Sequence, residues 1–172
     1  MAELEISTYP DPILREKCRP VENIDERIRA LAADMAETAT TAPGVGLAAP
    51  QVGETLRLVV IDLSMGEDPD QLHVLVNPEI ESTGDEEIEA EEGCLSLPEI
   101  FENVTRPARV RVRAWNLEGR EFILDVDGRL ARVLHHEIEH LDGKLLLDRL
   151  NRMKRGLIKR HLKKRAKAAS AS

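Results

Sequence analysis

The chain has 172 residues, 42% of them hydrophobic, with 32 acidic against 24 basic side chains and a net charge of −8. That is the size and balance of one domain with one core, able to bury about 70% of the surface its unfolded form exposes. No apolar run approaches the ~18 residues of a membrane span, and "MAELEISTYPDP" lacks the basic start and apolar middle of a signal peptide, so membrane and secreted classes are set aside and the cytoplasm is the expected compartment.

Only four residues are Phe, Trp or Tyr, so the core is expected to be built from Leu, Ile, Val and Ala. Cys18 and Cys94 are expected to remain free thiols, as isolated cysteines do in a reducing compartment. Along the chain, Ile28, Leu31, Ala32, Met35 and Ala36 recur at helical spacing and predict a helix over about 25–40. "TTAPGVG" ends it in a glycine-containing loop. "LRLVVIDL" (56–63) and "LHVLVNPEI" (72–80) read as strands separated by the loop "SMGEDPDQ". "ARVRVRAWNLEGREFILDV" alternates apolar and polar residues on both sides of Asn116 to Gly119, which predicts a hairpin. A second helix starts near Asp127 and runs to about Asp142, with Gly143 as its stop. This order of helix, strands and helix predicts an α+β fold.

The last stretch, "RMKRGLIKRHLKKRAK" (152–167), carries nine Lys/Arg and no acid, leaving 15 basic residues against 32 acidic ones elsewhere. It reads in two ways. One is a solvated terminal helix whose inward stripe is Met153, Leu157, Ile158 and Leu162. The other is a contact for a polyanion such as RNA.

The second helix holds "HHEIEH" (135–140), which concentrates three of the chain's five histidines. His136 and His140 are four residues apart, so they project from one face and can reach a single ion. Glu137 lies beside the first of them, suited to acid/base work and not to ligation. His135 points elsewhere on the helix and is expected to be structural or exposed. Two histidines need at least one more protein ligand. Cys94, in "EEGCLSLP" (91–98) between Gly93 and Pro98, is the candidate, against the alternative that it is an ordinary core thiol. Cys18 in "REKCRP" has no such setting.

Three separated stretches, "GVGLAAPQ" (44–51), "EGCLSLP" (92–98) and "HHEIEHLDGKLLLD" (135–148), together resemble the bacterial peptide deformylase family, and the resemblance runs from "YPDPILR" near the start to the end of the third stretch. It implies small mixed or antiparallel sheets around a central metal-binding helix carrying H-E-x-x-H. A metal-dependent deformylase domain would span 1–150, and 151–172 would form a basic C-terminal helix and tail packed on it or extending from it.

The activity implied is removal of the N-formyl group from the formyl-methionine of newly made proteins, releasing formate. The divalent metal would be held by Cys94, His136 and His140. Ferrous iron (Fe2+) is the expected native ion, with Zn2+, Ni2+ or Co2+ also compatible. Glu137 is implied as the catalytic acid/base, with the Gln51 side-chain amide and the Leu95 backbone N–H as oxyanion donors. Val45, Gly46 and Gly93 would hydrogen-bond the peptide as an added strand, and Val45 and Val133 would wall the methionine pocket. The expected partners are N-formylated nascent peptides and, through the basic helix, the ribosome and its RNA, with no DNA or membrane partner.

The chain departs from the family pattern at Phe101, where arginine is common, and at Arg129, where a bulky apolar residue is usual. His135 for glutamine and Glu139 for aspartate are milder departures. Three alternatives stay open on sequence grounds. One is an H-E-x-x-H endopeptidase, whose third ligand normally lies after the motif. Another is a structural metal site, which would want a fourth protein ligand. The last is a deformylase-like protein of weak activity.

Overall fold

The computed structural model describes residues 3–170. Helix α1 (Glu26–Thr41) begins where the Asp25 side chain accepts from the Ile28 N–H at 3.1 Å, and it buries Ile28, Ala32, Met35 and Ala39 along one stripe. The chain then enters β1 (Gly46–Ala48), a strand where the sequence reading placed only loop, and continues into β2 (Leu58–Ile61) and β3 (His73–Thr83). After the hairpin of β4 (Glu87–Cys94) and β5 (Leu97–Pro107) come β6 (Arg109–Trp115) and β7 (Glu121–Asp127). The turn expected at Asn116 to Gly119 joins these last two. Asn116 Oδ1 accepts from the N–H groups of Glu118 and Arg120, and Gly119 adopts a positive φ of 78°.

All strand pairings among the named strands are antiparallel. One sheet has five strands in the order β1-β2-β3-β6-β7, and β4-β5 forms a separate two-stranded sheet. Helix α2 (Gly128–His140) lies between the two. Its Ala131, Leu134 and Ile138, with Leu141 just beyond, pack on Val59, Ile61, Leu75, Val110, Val112 and Ala114 of the larger sheet. Truncating a leucine as enclosed as Leu134 typically costs about 2–5 kcal/mol, so this stripe fixes where the rest of α2 points. Cys18 is buried in the same core, and both cysteines are free thiols.

Helix α3 (Arg152–Ser170) packs less of itself than its sequence suggests. Ile158 and Leu162 are buried with Tyr9, Leu14, Leu97 and Leu147, but Met153 is 78% and Leu157 54% exposed, so the inward stripe has two members and not four. Lys154 pairs with Glu102 and Arg165 with Glu99, both at 2.8 Å, linking α3 to β5. Among the described residues no helix is long and apolar enough to cross a membrane.

Candidate active site

Because the leucine stripe turns one side of α2 to the large sheet, the opposite side faces the β4-β5 hairpin. Cys94 ends β4, and the pairing shifts register there: Gly93 lies opposite Phe101, but Cys94 lies opposite Leu97. This irregularity is a β-bulge-like device that re-aims a side chain at a strand end. Cys94, His136 and His140 come together with one ligand atom from each, all within 4.8 Å of one another, and Cys94 Sγ is 3.4 Å from His140 Nε2. Bonds of about 2.0–2.3 Å to one ion place donor atoms roughly 3–4 Å apart, a spacing the Cys94–His140 pair already has, so this thiol and two imidazoles form a group that could hold a metal with small adjustments.

His136 is oriented by a partner the sequence reading missed. Its Nδ1–H donates to Glu92 Oε1 at 3.0 Å, which leaves Nε2 for the cluster. Glu92 is in turn gripped by Arg106 through Nε at 2.6 Å and NH2 at 2.9 Å, and by Arg132. Burial alone would push the Glu92 carboxyl up, yet hydrogen bonds from His136 and Arg106 hold it at about 2. Arg106 is only 1% exposed and also donates to Glu139, to which Arg149 donates at 3.0 Å. His135 sits buried in this network, with Arg106 at 3.3 Å and Arg149 at 3.4 Å, and its burial lowers its pKa to about 4. Its role is structural, as one of its two expected readings had it. A cue to Arg106 was available: β5 alternates, and Arg106 shares its inward side with the apolar Val104.

Glu137 is 5% exposed and its Oε1 has no hydrogen-bond partner among the described residues. Burial pushes its carboxyl up to about 7, against the pull of His136 and Arg106. A buried carboxylate without a partner is expensive in a purely structural site, and such groups cluster where protons are moved. Gly46 is the residue that lets β1 approach this carboxylate, since a Cβ there would stand 2.8 Å from Glu137 Oε2. His140 Nδ1 is likewise buried and without a hydrogen-bond partner among the described residues.

Gln51 follows β1 in a short 3-10 helix and is 1% exposed. Its Oε1 accepts from the Ala48 N–H at 2.9 Å, which fixes the amide so that Nε2 faces Ser96 Oγ at 3.1 Å and Cys94 Sγ at 3.7 Å. Leu95 lies in the turn directly after Cys94. Two cavities meet at His136 and Glu137. One, of about 470 Å³, has Val45, Ile88, Ala90, Pro107 and Val133 among its walls. The other, of about 560 Å³, is a cleft bordered by Gly46, Gln51, Cys94 and Leu95 and reaching Met65 and Phe101. Val45, Gly93 and Arg129 line both. The residues singled out in the sequence therefore converge, whereas Cys18 lies apart from them in the core under α2.

The polypeptide deformylase family model matches residues 3–156. A peptide deformylase of Syntrophobacter fumaroxidans is 52% identical over 171 residues, covering 99% of this chain and 100% of that one. One of Acinetobacter baumannii is 46% identical over 95% of this chain and 92% of its own length. The crystal structure of a peptide deformylase from Legionella pneumophila superposes with a TM-score of 0.91 at 42% identity, covering 99% of each chain. With a match over nearly its whole length in sequence and in fold, the chain belongs to the polypeptide deformylase family.

Proposed function

We propose that Cys94, His136 and His140 hold a divalent metal, ferrous iron in the native protein, and that Glu137 moves the protons in the family's reaction, hydrolysis of the N-formyl group of nascent peptides to formate and a free N-terminus. The observation that carries the reading is the buried Glu137 Oε1, without a hydrogen-bond partner among the described residues, beside a thiol and two imidazoles close enough together to share one ion. Such an ion, when bound, supplies Lewis-acid activation of a water and of the formyl oxygen. A thiolate in the donor set suits iron as well as zinc.

In this reading Glu137 takes the proton of the attacking water at a carboxylate oxygen and returns it to the departing amine nitrogen. As attack proceeds, negative charge grows on the formyl oxygen. The Gln51 Nε2–H and Leu95 backbone N–H are its proposed donors, and the Ala48 N–H that grips Gln51 Oε1 supports the Gln51 assignment, since it fixes the amide before substrate arrives. Glu92 holds His136 in the tautomer that leaves Nε2 for the ion. The cavity walled by Val45 and Val133 suits the methionine side chain, and backbone groups of Val45, Gly46 and Gly93 are assigned to the extended peptide.

The test is formate release from formyl-Met-Ala-Ser by anaerobically purified, iron-loaded protein. Turnover is the expected result. Its absence in protein with a full complement of iron would overturn the reading.

A second contact is proposed for residues 152–167. With 1–150 as the deformylase domain and 151–172 as its basic helix and tail, α3 turns Ile158 and Leu162 inward while Arg160, Lys163 and Lys164 are exposed. That charge would draw the cytoplasmic enzyme to ribosomal RNA phosphates near emerging formylated chains, a salt-sensitive attraction.

A further inference from the structure

Phe101 is 65% exposed, in a chain that has only two phenylalanines. Leaving such a ring in water forgoes its burial, which is ordinarily favourable. Its place is specific. Phe101 lies opposite Gly93 in the β4-β5 pairing, and a Cβ at Gly93 would come within 2.7 and 2.8 Å of its ring atoms Cε1 and Cδ1. The ring thus occupies the space that a side chain at position 93 would take, one residue along the strand from Cys94. It borders the same cleft as Glu137 and Gln51, together with the apolar side chains of Met65, Leu95, Pro98 and Ile100, of which Met65 is also 39% exposed.

The geometry points to Phe101 as a specificity-determining residue, whose ring receives an aromatic or aliphatic side chain at the second or third residue of the formylated peptide. This rests on the deformylase reading of the site. The peptide is the occupant because the cleft is continuous with the reacting centre: a chain whose formyl group lies beside Glu137 and whose first side chain fills the neighbouring cavity has its next residues, at about 3.3 Å each, left to run along the open cleft. An arginine at 101 would offer a cation there. A phenylalanine offers a ring face and edge, which favour aromatic partners beyond their buried area.

The experiment compares kcat/KM for formyl-Met-Ala-Ser, formyl-Met-Phe-Ser and formyl-Met-Ala-Phe across iron-loaded wild type, Phe101→Ala, Phe101→Leu and Phe101→Arg. Wild type should favour at least one phenylalanine peptide over formyl-Met-Ala-Ser by about threefold to tenfold. Phe101→Ala and Phe101→Arg should bring that ratio close to one, with the loss carried by KM. Phe101→Leu, which keeps an apolar cover over Gly93, should retain part of the preference. A wild-type ratio within twofold of one, or a ratio unchanged in Phe101→Ala, overturns the inference while leaving the deformylase reading intact. Failure of wild type to hydrolyse any of the three peptides overturns both.

Discussion

Helices α2 and α3 are both rich in titratable side chains, and they use them in opposite ways. On α2, His135, His136, Glu137 and His140 are buried, and Glu139 is nearly so. Most of them have named partners, while Glu137 Oε1 and His140 Nδ1 have none among the described residues. On α3 the nine cations of 152–167 lie largely on the surface, where Lys154 and Arg165 make exposed ion pairs worth ~1 kcal/mol or less each. Burial raises the cost of every charge and so ties each residue to a specific purpose. Exposure lets charges act as a group whose members are interchangeable.

The largest effects should follow from breaking the donor set that α2 shares with the end of β4. Cys94→Ala, His136→Ala and His140→Ala should each abolish stoichiometric metal binding, measured by elemental analysis after gel filtration, together with turnover. Cys18→Ala, away from the cluster, should leave both in place. Full occupancy in Cys94→Ala would remove the thiol from the ligand set.

The buried network behind the proposed ligands should come next. Arg106→Met removes the cation shared by Glu92 and Glu139 and leaves one buried and one largely buried carboxylate short of a partner, so destabilisation by about 3–5 kcal/mol is expected in denaturant unfolding. Because Glu92 then holds His136 less firmly, metal affinity should fall about 10–100-fold. A loss of stability under ~1 kcal/mol would mean that the network adapts as freely as α3's surface pairs do.

Gln51→Ala should cost about 100-fold, chiefly in kcat, if its amide meets charge that appears only in the transition state. A pure KM effect would reassign Gln51 to ground-state binding. The smallest effect on chemistry should come from α3. Replacing Lys159, Arg160, Lys163 and Lys164 with glutamate should change hydrolysis of a free formyl-tripeptide little, yet weaken co-sedimentation with ribosomes, and the wild-type interaction should fade steeply with salt. Equal co-sedimentation of both proteins at low salt would make α3 a solvated helix only.

What could be read from the sequence divides along the same line. The i, i+4 histidines, the two main helices, β2, β3 and the β6-β7 hairpin were legible because local periodicity and turn residues specify them. The proposed ligand set also needed Cys94, which stood out by its setting between Gly93 and Pro98 but was chosen over an ordinary core thiol only by family resemblance, since no spacing ties it to a helix some forty residues later. The Glu92–Arg106–Glu139 network escaped notice since charged residues are read by default as surface, and only the non-local pairing of β4 with β5 beneath α2 buries them. On α3 the error ran the other way. Met153 and Leu157 fit a helical stripe, but only Ile158 and Leu162 reach the body, and the stripe's width depends on what it lands on. β1 was read as loop because three residues are too few to show an alternation.

The central claim, that Glu137 moves protons beside a metal it does not hold, is tested most directly by Glu137→Gln. The substitution preserves shape and removes the base, so iron content should remain stoichiometric while formate release from formyl-Met-Ala-Ser falls by about two to four orders of magnitude. Turnover near the wild-type rate with iron fully bound would contradict the account.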